Sequence, residues 1–385
     1  MLKLFEKKKL KEETNLVFVI ESGQILSAIV SIKDEKPPHF LFTSKEVISH
    51  KHELSENRLV SLMLSGVKSG AEAMSKKGFI EASGKMFNKR TVHIFLGLPW
   101  YTSISNETTV TKEKPFLIKE KFIEDSANEH FHISNKELVP IEQKIISVQA
   151  NGYQLEHPVG KKAKSINIKS IVNASSSELI KSIKEVVNLS FPEIEVVFHT
   201  TTQAIFPVAS ELIGKKDFLL LIPEHDISEI VFSKNGMFES TISMPFGKYS
   251  PVRMVSAIFK NEKVVVTSLL KLYMEKSLSE NKHKEVDDAL KMPKDKFQGL
   301  FKEALWKLSP TVLLPKDVVI ADKSLVAKLL GEWIQTETWS NSVFGGGALN
   351  IYFLGNSDLI GRIKKENELH YFEPILISCG LYLRS

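Results

Sequence analysis

"FLLLIPEHDISEIVFSKNG", residues 218–236, decides the fold. Its first half is a saturated apolar strand; after a turn, a second strand alternates and closes on Asn235-Gly236, a pair suited to tight hairpins. The rhythm is that of a phosphate-binding hairpin. Such a loop holds an anion by letting backbone N–H groups approach it, which calls for glycine. Here Pro223 removes a backbone donor, and Glu224, His225 and Asp226 occupy the turn, so two carboxylates repel the anion that glycines would admit.

Working outward, the device occurs twice. "NLVFVIESGQILSAIVSI" (15–32) also reads as two strands, joined by a tight turn at Ser22-Gly23. "ENRLVSLMLSGVKSGAEAMSKKG" (56–78) follows with apolar residues at helical spacing, and "RTVHIFLGLPWY" is a buried strand stopped by Pro99. After the second hairpin, the chain turns helical from Pro251 through "VRMVSAIF", "VVVTSLLKLYMEKSLSE" and "KFQGLFKEALWKL". The charged stretch "ENKHKEVDDALKMPKDK" reads as a solvated helix face or loop. "KDVVIADKSLVAKLLGEWI" is then a strand feeding a helix. Between the halves, alternating strands around the helix-like "SANEHFHISNKEL" read as a small α+β insert. Two α/β halves, each presenting a hairpin turn to one ligand, form the arrangement of actin and the sugar kinases.

Composition sets outer bounds. The 385 residues suffice for two or more domains, and 43% apolar with 25% charged residues is ordinary for a globular chain. The net charge of +5 is spread among nearly as many acids, so nucleic acid is not an expected partner. The single cysteine, Cys379, excludes an intrachain disulfide, fits a reducing compartment and reads as a small packed side chain. No apolar run approaches the ~18 residues of a membrane span, and no signal-peptide core is present, so a cytoplasmic location is expected. In the leader "MLKLFEKKKLKEE", Met1, Leu2, Leu4 and Phe5 beside Lys7, Lys8 and Lys9 read as a frayed, solvated segment with at most weak or indirect membrane contact.

Three stretches carry a family resemblance. "IISVQANGYQLEHPVGKKAKSINIKSIVNASSSELIKSIKEVVN" resembles the second half of the SHS2 insert of the FtsA/PilM branch of the actin-like ATPases, with His157-Pro158-Val159-Gly160 at its turn. "TTQAIFPVASELIGKKDFLLLIP" resembles the family's helix leading into its second phosphate hairpin, and "ISMPFGKYSPVRMVSAIF" its later turn into a helix. The resemblance implies an α/β, actin-like two-lobed fold with an inserted SHS2-like α+β subdomain. Its expected segments are 1–100 (first lobe), 101–175 (insert), 176–212 (first lobe again), 213–354 (second lobe) and 355–385 (return to the first lobe).

The same resemblance implies a nucleotide cleft, and the residues matching its motifs depart from them. Glu21, Ser22, Gly23 and Gln24 stand where the family reads Asp-Ile-Gly-Thr. In the second hairpin, Ile222 is matched with the leading aspartate, and Glu224 and Asp226 with phosphate-contacting positions. In the adenosine motif, Ala321, Asp322, Lys323 and Ser324 replace glycines. Gly345-Gly346-Gly347 spells that motif but leads into the strand-like "NIYFL", whereas the motif must open a helix. No cofactor is therefore expected, with Mg-ATP at Glu21, Gly23, Glu224, Asp226 and Asp322 as the alternative.

The expected function is a non-catalytic FtsA-like scaffold working through protein contacts at the cytoplasmic face of the membrane. The first alternative is a PilM-like protein of a type IV pilus platform, which "MLKLFEKKK" and the terminal "GLYLRS" resemble. The second is a nucleotide-dependent enzyme using Glu21 and Asp226 as metal-binding acids. FtsA's carboxyl-terminal amphipathic helix has no counterpart after "GLYLRS". Partners are expected to be divisome or pilus proteins, with self-association possible in such scaffolds. Trp100 and Tyr101 are the candidate aromatic wall of a partner site. His130 and His132 offer two imidazoles without a placed third ligand, so no metal site is expected.

Overall fold

The computed structural model describes residues 12–48, 55–78, 90–129, 137–155, 157–309, 312–336, 341–366 and 371–384. In chain order, β1 (Glu12–Ile20) and β2 (Gln24–Lys33) make the first hairpin and β3 (His39–Val47) extends it. Helix α1 (Glu56–Ala73) closes in a wide turn at Met74–Gly78 and precedes β4 (Arg90–Leu96). The insert comprises β5 (Thr102–Leu117), α2 (Glu120–Glu129), β6 (Leu138–Ala150), β7 (Tyr153–Leu155) and β8 (Lys162–Ser176). Helix α3 (Ser177–Ser190), β9 (Glu195–Thr200) and α4 (Thr201–Ile213) lead to the second hairpin, β10 (Phe218–Pro223) and β11 (Ser228–Lys234), which β12 (Met237–Met244) extends. Helices α5 (Ser250–Phe259), α6 (Lys263–Met274) and α7 (Glu280–Leu308) follow. The chain ends through β13 (Asp317–Ile320), α8 (Leu325–Gln335), α9 (Asn341–Phe344), β14 (Asn350–Phe353), α10 (Asn356–Leu359), β15 (Lys364–Lys365) and α11 (Pro374–Tyr382).

These elements form two compact units: Met1–Leu96 with Ser182–Pro207 and Gly355–Ser385, and Gly97–Lys181 with Val208–Leu354. The first unit holds a six-stranded sheet in the order β15-β3-β2-β1-β4-β9. β1 is antiparallel to β2 and parallel to β4, so it lies central, and Leu16 to Ile20 are fully buried. That explains its unbroken apolar run, since a strand covered on both faces has no solvent side to alternate toward. Helix α1 lies on the face presented by Ile25, Ser27 and Ile29. Gly66 and Gly70 let it approach, because a Cβ at Gly70 would stand 2.3 Å from the Ser27 hydroxyl. Helix α11 lies on the other face, where Gly380 meets the ring of Phe40.

The second unit repeats the topology. Its main sheet runs β12-β11-β10-β13-β14, again an antiparallel meander followed by parallel neighbours. Leu219, Leu221, Ile230 and Phe232 pack against an aromatic core of Phe246, Phe297, Phe301 and Trp333. The charged stretch read as a helix face or loop is the first part of α7. Along it Val286, Ala289, Leu290, Pro293 and Phe297 form a buried stripe at helical spacing, with the charges on the remaining faces. The insert belongs to this unit as a four-stranded sheet, β5-β8-β6-β7. Ile123 and Ala127 of α2 join Ile166 and Ile168 of β8 in a separate small core.

Candidate functional site

The two hairpin turns are built alike. Glu21 N–H donates to the Gln24 carbonyl at 3.0 Å, and Glu224 N–H donates to the Ile227 carbonyl at 3.0 Å. The glutamate is therefore the first residue of each four-residue turn. By hydrogen bonding, Glu224, two residues beyond the Ile222 matched with the leading acid, holds the place in its own turn that Glu21 holds in the first, while Ile222 pairs with Glu229 inside the β10–β11 ladder.

In the first unit the turn is filled from within. Gln24 Nε2 donates to Glu21 Oε2 and, at 2.6 Å, to Glu373 Oε2. Lys45 Nζ reaches Glu373 Oε1 at 2.7 Å, so one amide bridges two carboxylates and one ammonium offsets their charge. Glu373 is the residue immediately before α11. Gly23, the position at which the family's backbone approaches phosphate, instead accepts the Ile48 N–H at 2.9 Å through its carbonyl. The Glu21 charge faces the Cys379 thiol, which burial first and this carboxylate second push well above the usual thiol range.

The second turn is filled more completely. Glu224 is 1% exposed, and its carboxylate lies where a Cβ on Gly97 would stand 2.4 Å away. Its carbonyl and that of His225 accept the N–H groups of Lys248 and Tyr249, each at 2.8 Å. Gly247 permits this, since a Cβ there would meet the Glu224 carbonyl at 2.4 Å. The His225 ring stacks on Tyr249 with centroids 4.3 Å apart, and its Nδ1 lies 2.7 Å from Asp226 Oδ2. Asp226 Oδ1 accepts from Arg253 Nη1 at 2.7 Å. The acid read as a metal ligand thus holds an arginine of α5.

The adenosine-motif position is a helix cap. Asp322 accepts the Ser324 N–H at 2.7 Å and hydroxyl at 3.0 Å, and Ser324 Oγ caps α8 through the Ala327 N–H. Gly345, Gly346 and Gly347 have φ of 67°, 75° and 87° and lead to β14, so they do not open a helix. Among the described residues no group of three or more His, Cys, Asp or Glu is gathered to hold a metal ion. His130 and His132 lie outside the described residues.

The expected aromatic wall is inside the protein. Trp100 is 6% and Tyr101 5% exposed. The Trp100 carbonyl accepts from Ser175 Oγ at 2.6 Å, and Tyr101 donates at 2.5 Å to Glu229, which also takes the Thr241 hydroxyl at 2.7 Å. Tyr101 thereby joins the insert to the main sheet of the second unit, and both aromatics are buried at that joint. Reading the sequence missed Gln24's second carboxylate, Gly97 and Arg253. The first two have no local signature, and Arg253 lies in "SPVRMV" with nothing to single it out.

No family model matches the sequence, and no curated protein matches it. Among solved structures the chain is similar to PilM of a PilM-PilN type IV pilus biogenesis complex, at 14% identity, over 96% of this chain and 98% of that one, with a TM-score of 0.59. It also aligns with the ethanolamine utilization protein EutJ from Carboxydothermus hydrogenoformans, at 10% identity over 97% and 90% of the two chains, with a TM-score of 0.43. A Bacteroides thetaiotaomicron protein with an actin-like ATPase fold aligns at 9% identity over 92% and 93%, with a TM-score of 0.36. The fold is the mixed α/β fold of the actin-like ATPases. No helix among the described residues is long and apolar enough to cross a membrane.

Proposed function

We propose that the protein is a non-catalytic actin-like scaffold that holds a protein partner as PilM does in a type IV pilus platform. The observation that carries the reading is the second turn, whose space is taken by Glu224, His225 and the Asp226–Arg253 pair. An anion site needs donors aimed at a vacant volume; this turn presents carboxylates and is filled by its own side chains. The end-to-end likeness to PilM supports the pilus reading over the FtsA-like one, which rests on the resemblance of the insert and its "HPVG" turn.

Affinity capture of the tagged full chain from its native cell, after crosslinking, tests the assignment. Enrichment of pilus-platform proteins over divisome proteins is the expected result. Enrichment of divisome proteins alone returns the FtsA-like reading.

A further inference from the structure

One end of the insert's sheet projects past the rest. β6 stops at Ala150, opposite Ile166, whereas β5 and β8 pair further, Phe116 opposite Ala163 and Leu117 opposite Lys162. Beyond the strands the two segments stay bonded: Ile118 N–H donates to the Lys161 carbonyl at 2.8 Å, and Gly160 N–H to the Ile118 carbonyl at 2.9 Å. Beneath this tip, Ile118 and Ala163 are buried in the insert's small core with Phe116 and Phe122 packed on it. Lys112 Nζ lies over both rings, at 4.8 and 4.6 Å from their centroids. The projection is thus held in shape by its own packing.

Its outer surface combines exposed aliphatic side chains with uncompensated positive charge. Leu117 is 46% and Val159 55% exposed, and Tyr153, beside the β6–β7 turn at the same end, is 77% exposed. Lys114, Lys119, Lys121, Lys161, Lys162 and Lys164 are all exposed, and among the described residues none of them is in an ion pair. In sequence, 112–121 and 151–164 hold seven lysines against three glutamates, Glu113, Glu120 and Glu156. This end therefore carries +4 of a net charge that is only +5 for the whole chain.

We infer that this end of the insert rests on an anionic lipid bilayer. Leu117 and Val159 enter the interface, the lysine stems lie along it with their ammonium groups on lipid phosphates, and Tyr153 sits at headgroup level. A nucleic acid would be met by a basic groove with aromatic platforms for its bases, whereas the summit here is aliphatic and projecting. Lipid accepts both halves of the surface, aliphatic groups below the phosphates and lysines among them. Two aliphatic side chains and a few lysines give a reversible contact governed by lipid charge and salt. The inference goes beyond the scaffold reading and does not depend on which partner the scaffold holds.

The test is sedimentation of the full chain with vesicles of phosphatidylcholine alone and of phosphatidylcholine mixed with phosphatidylglycerol. Binding to the mixed vesicles only, declining as salt rises, is expected. Lys119→Glu with Lys161→Glu should weaken it about tenfold, and Leu117→Ser with Val159→Ser about fivefold, each without a change in urea midpoint, since these side chains are exposed. Lys284→Glu with Lys296→Glu on α7, an equal change of charge, should leave binding as it was. Vesicles should also slow amide exchange at residues 116–119 and 159–162. Equal weakening by the α7 pair would show attraction by overall charge, and undiminished binding of the serine pair would show a surface for polyanions in general; either overturns the inference. So does slowed exchange confined to the leader, or no binding to the mixed vesicles.

Discussion

A buried glutamate standing against a glycine is a fragile arrangement, and Gly97 with Glu224 is one. A methyl group at Gly97 would fall within 2.5 Å of both carboxylate oxygens, so the side chain or the strand must shift. Gly97→Ala is expected to cost about 1–3 kcal/mol in urea unfolding, the range for overpacking a filled site. Adding Glu224→Ala should recover most of that loss. Equal loss in single and double variants would show that the carboxylate is not what Gly97 accommodates. A second residue-scale expectation concerns His93, whose Nδ1 lies 3.0 Å from His199 Nε2 and whose Nε2 lies 3.1 Å from Asn15 Oδ1. Burial first, and the neighbouring His199 second, push its pKa down from 6.5 to about 4. Between those values the unfolded chain binds the proton and the folded chain does not. Stability from this group is thus complete above pH ~6.5 and falls as the pH drops toward ~4, by up to about 3 kcal/mol. Urea midpoints measured from pH 7.5 to 4.5 should decline over this window, and His93→Gln should flatten the slope. Cys379, wholly buried in α11 with its thiol pushed up, should resist thiol reagents until the protein unfolds.

Among the elements, the joint between the insert and the main sheet of the second unit is where burial replaced an expected surface. Two aromatics following a proline read as core packing more readily than as a groove wall, although either is open to them. What decides it is Ser175 at the end of β8 and Glu229 in β11, which are distant in sequence and meet Trp100 and Tyr101 only once the sheets have formed. Tyr101→Phe removes one of the hydroxyls holding Glu229 and leaves Thr241, so a loss of about 1–3 kcal/mol is expected in thermal or urea unfolding. Partner capture should be unchanged by this substitution; a loss of partner with unchanged stability would restore the aromatic wall. The hairpins themselves were legible, because an unbroken apolar run followed by alternation is what a central strand and its neighbour require. Turn register was not, since the bond from Glu224 N–H to the Ile227 carbonyl, and not a motif, fixes which residue leads.

At the scale of the molecule, the duplicated topology was readable as two strand hairpins, each with a later helix and parallel strand. The contents of the turns were readable only as missing glycines. What fills them was not, because Glu373 reaches Gln24 across 349 residues and nothing local marks that meeting. We propose that this actin-like chain works by contact and turns over no nucleotide. Phosphate release from saturating Mg-ATP, compared between the wild-type chain and Glu21→Ala, tests it most directly. Background release, indistinguishable between the two, is predicted; magnesium-dependent release by the wild type that Glu21→Ala abolishes would contradict it.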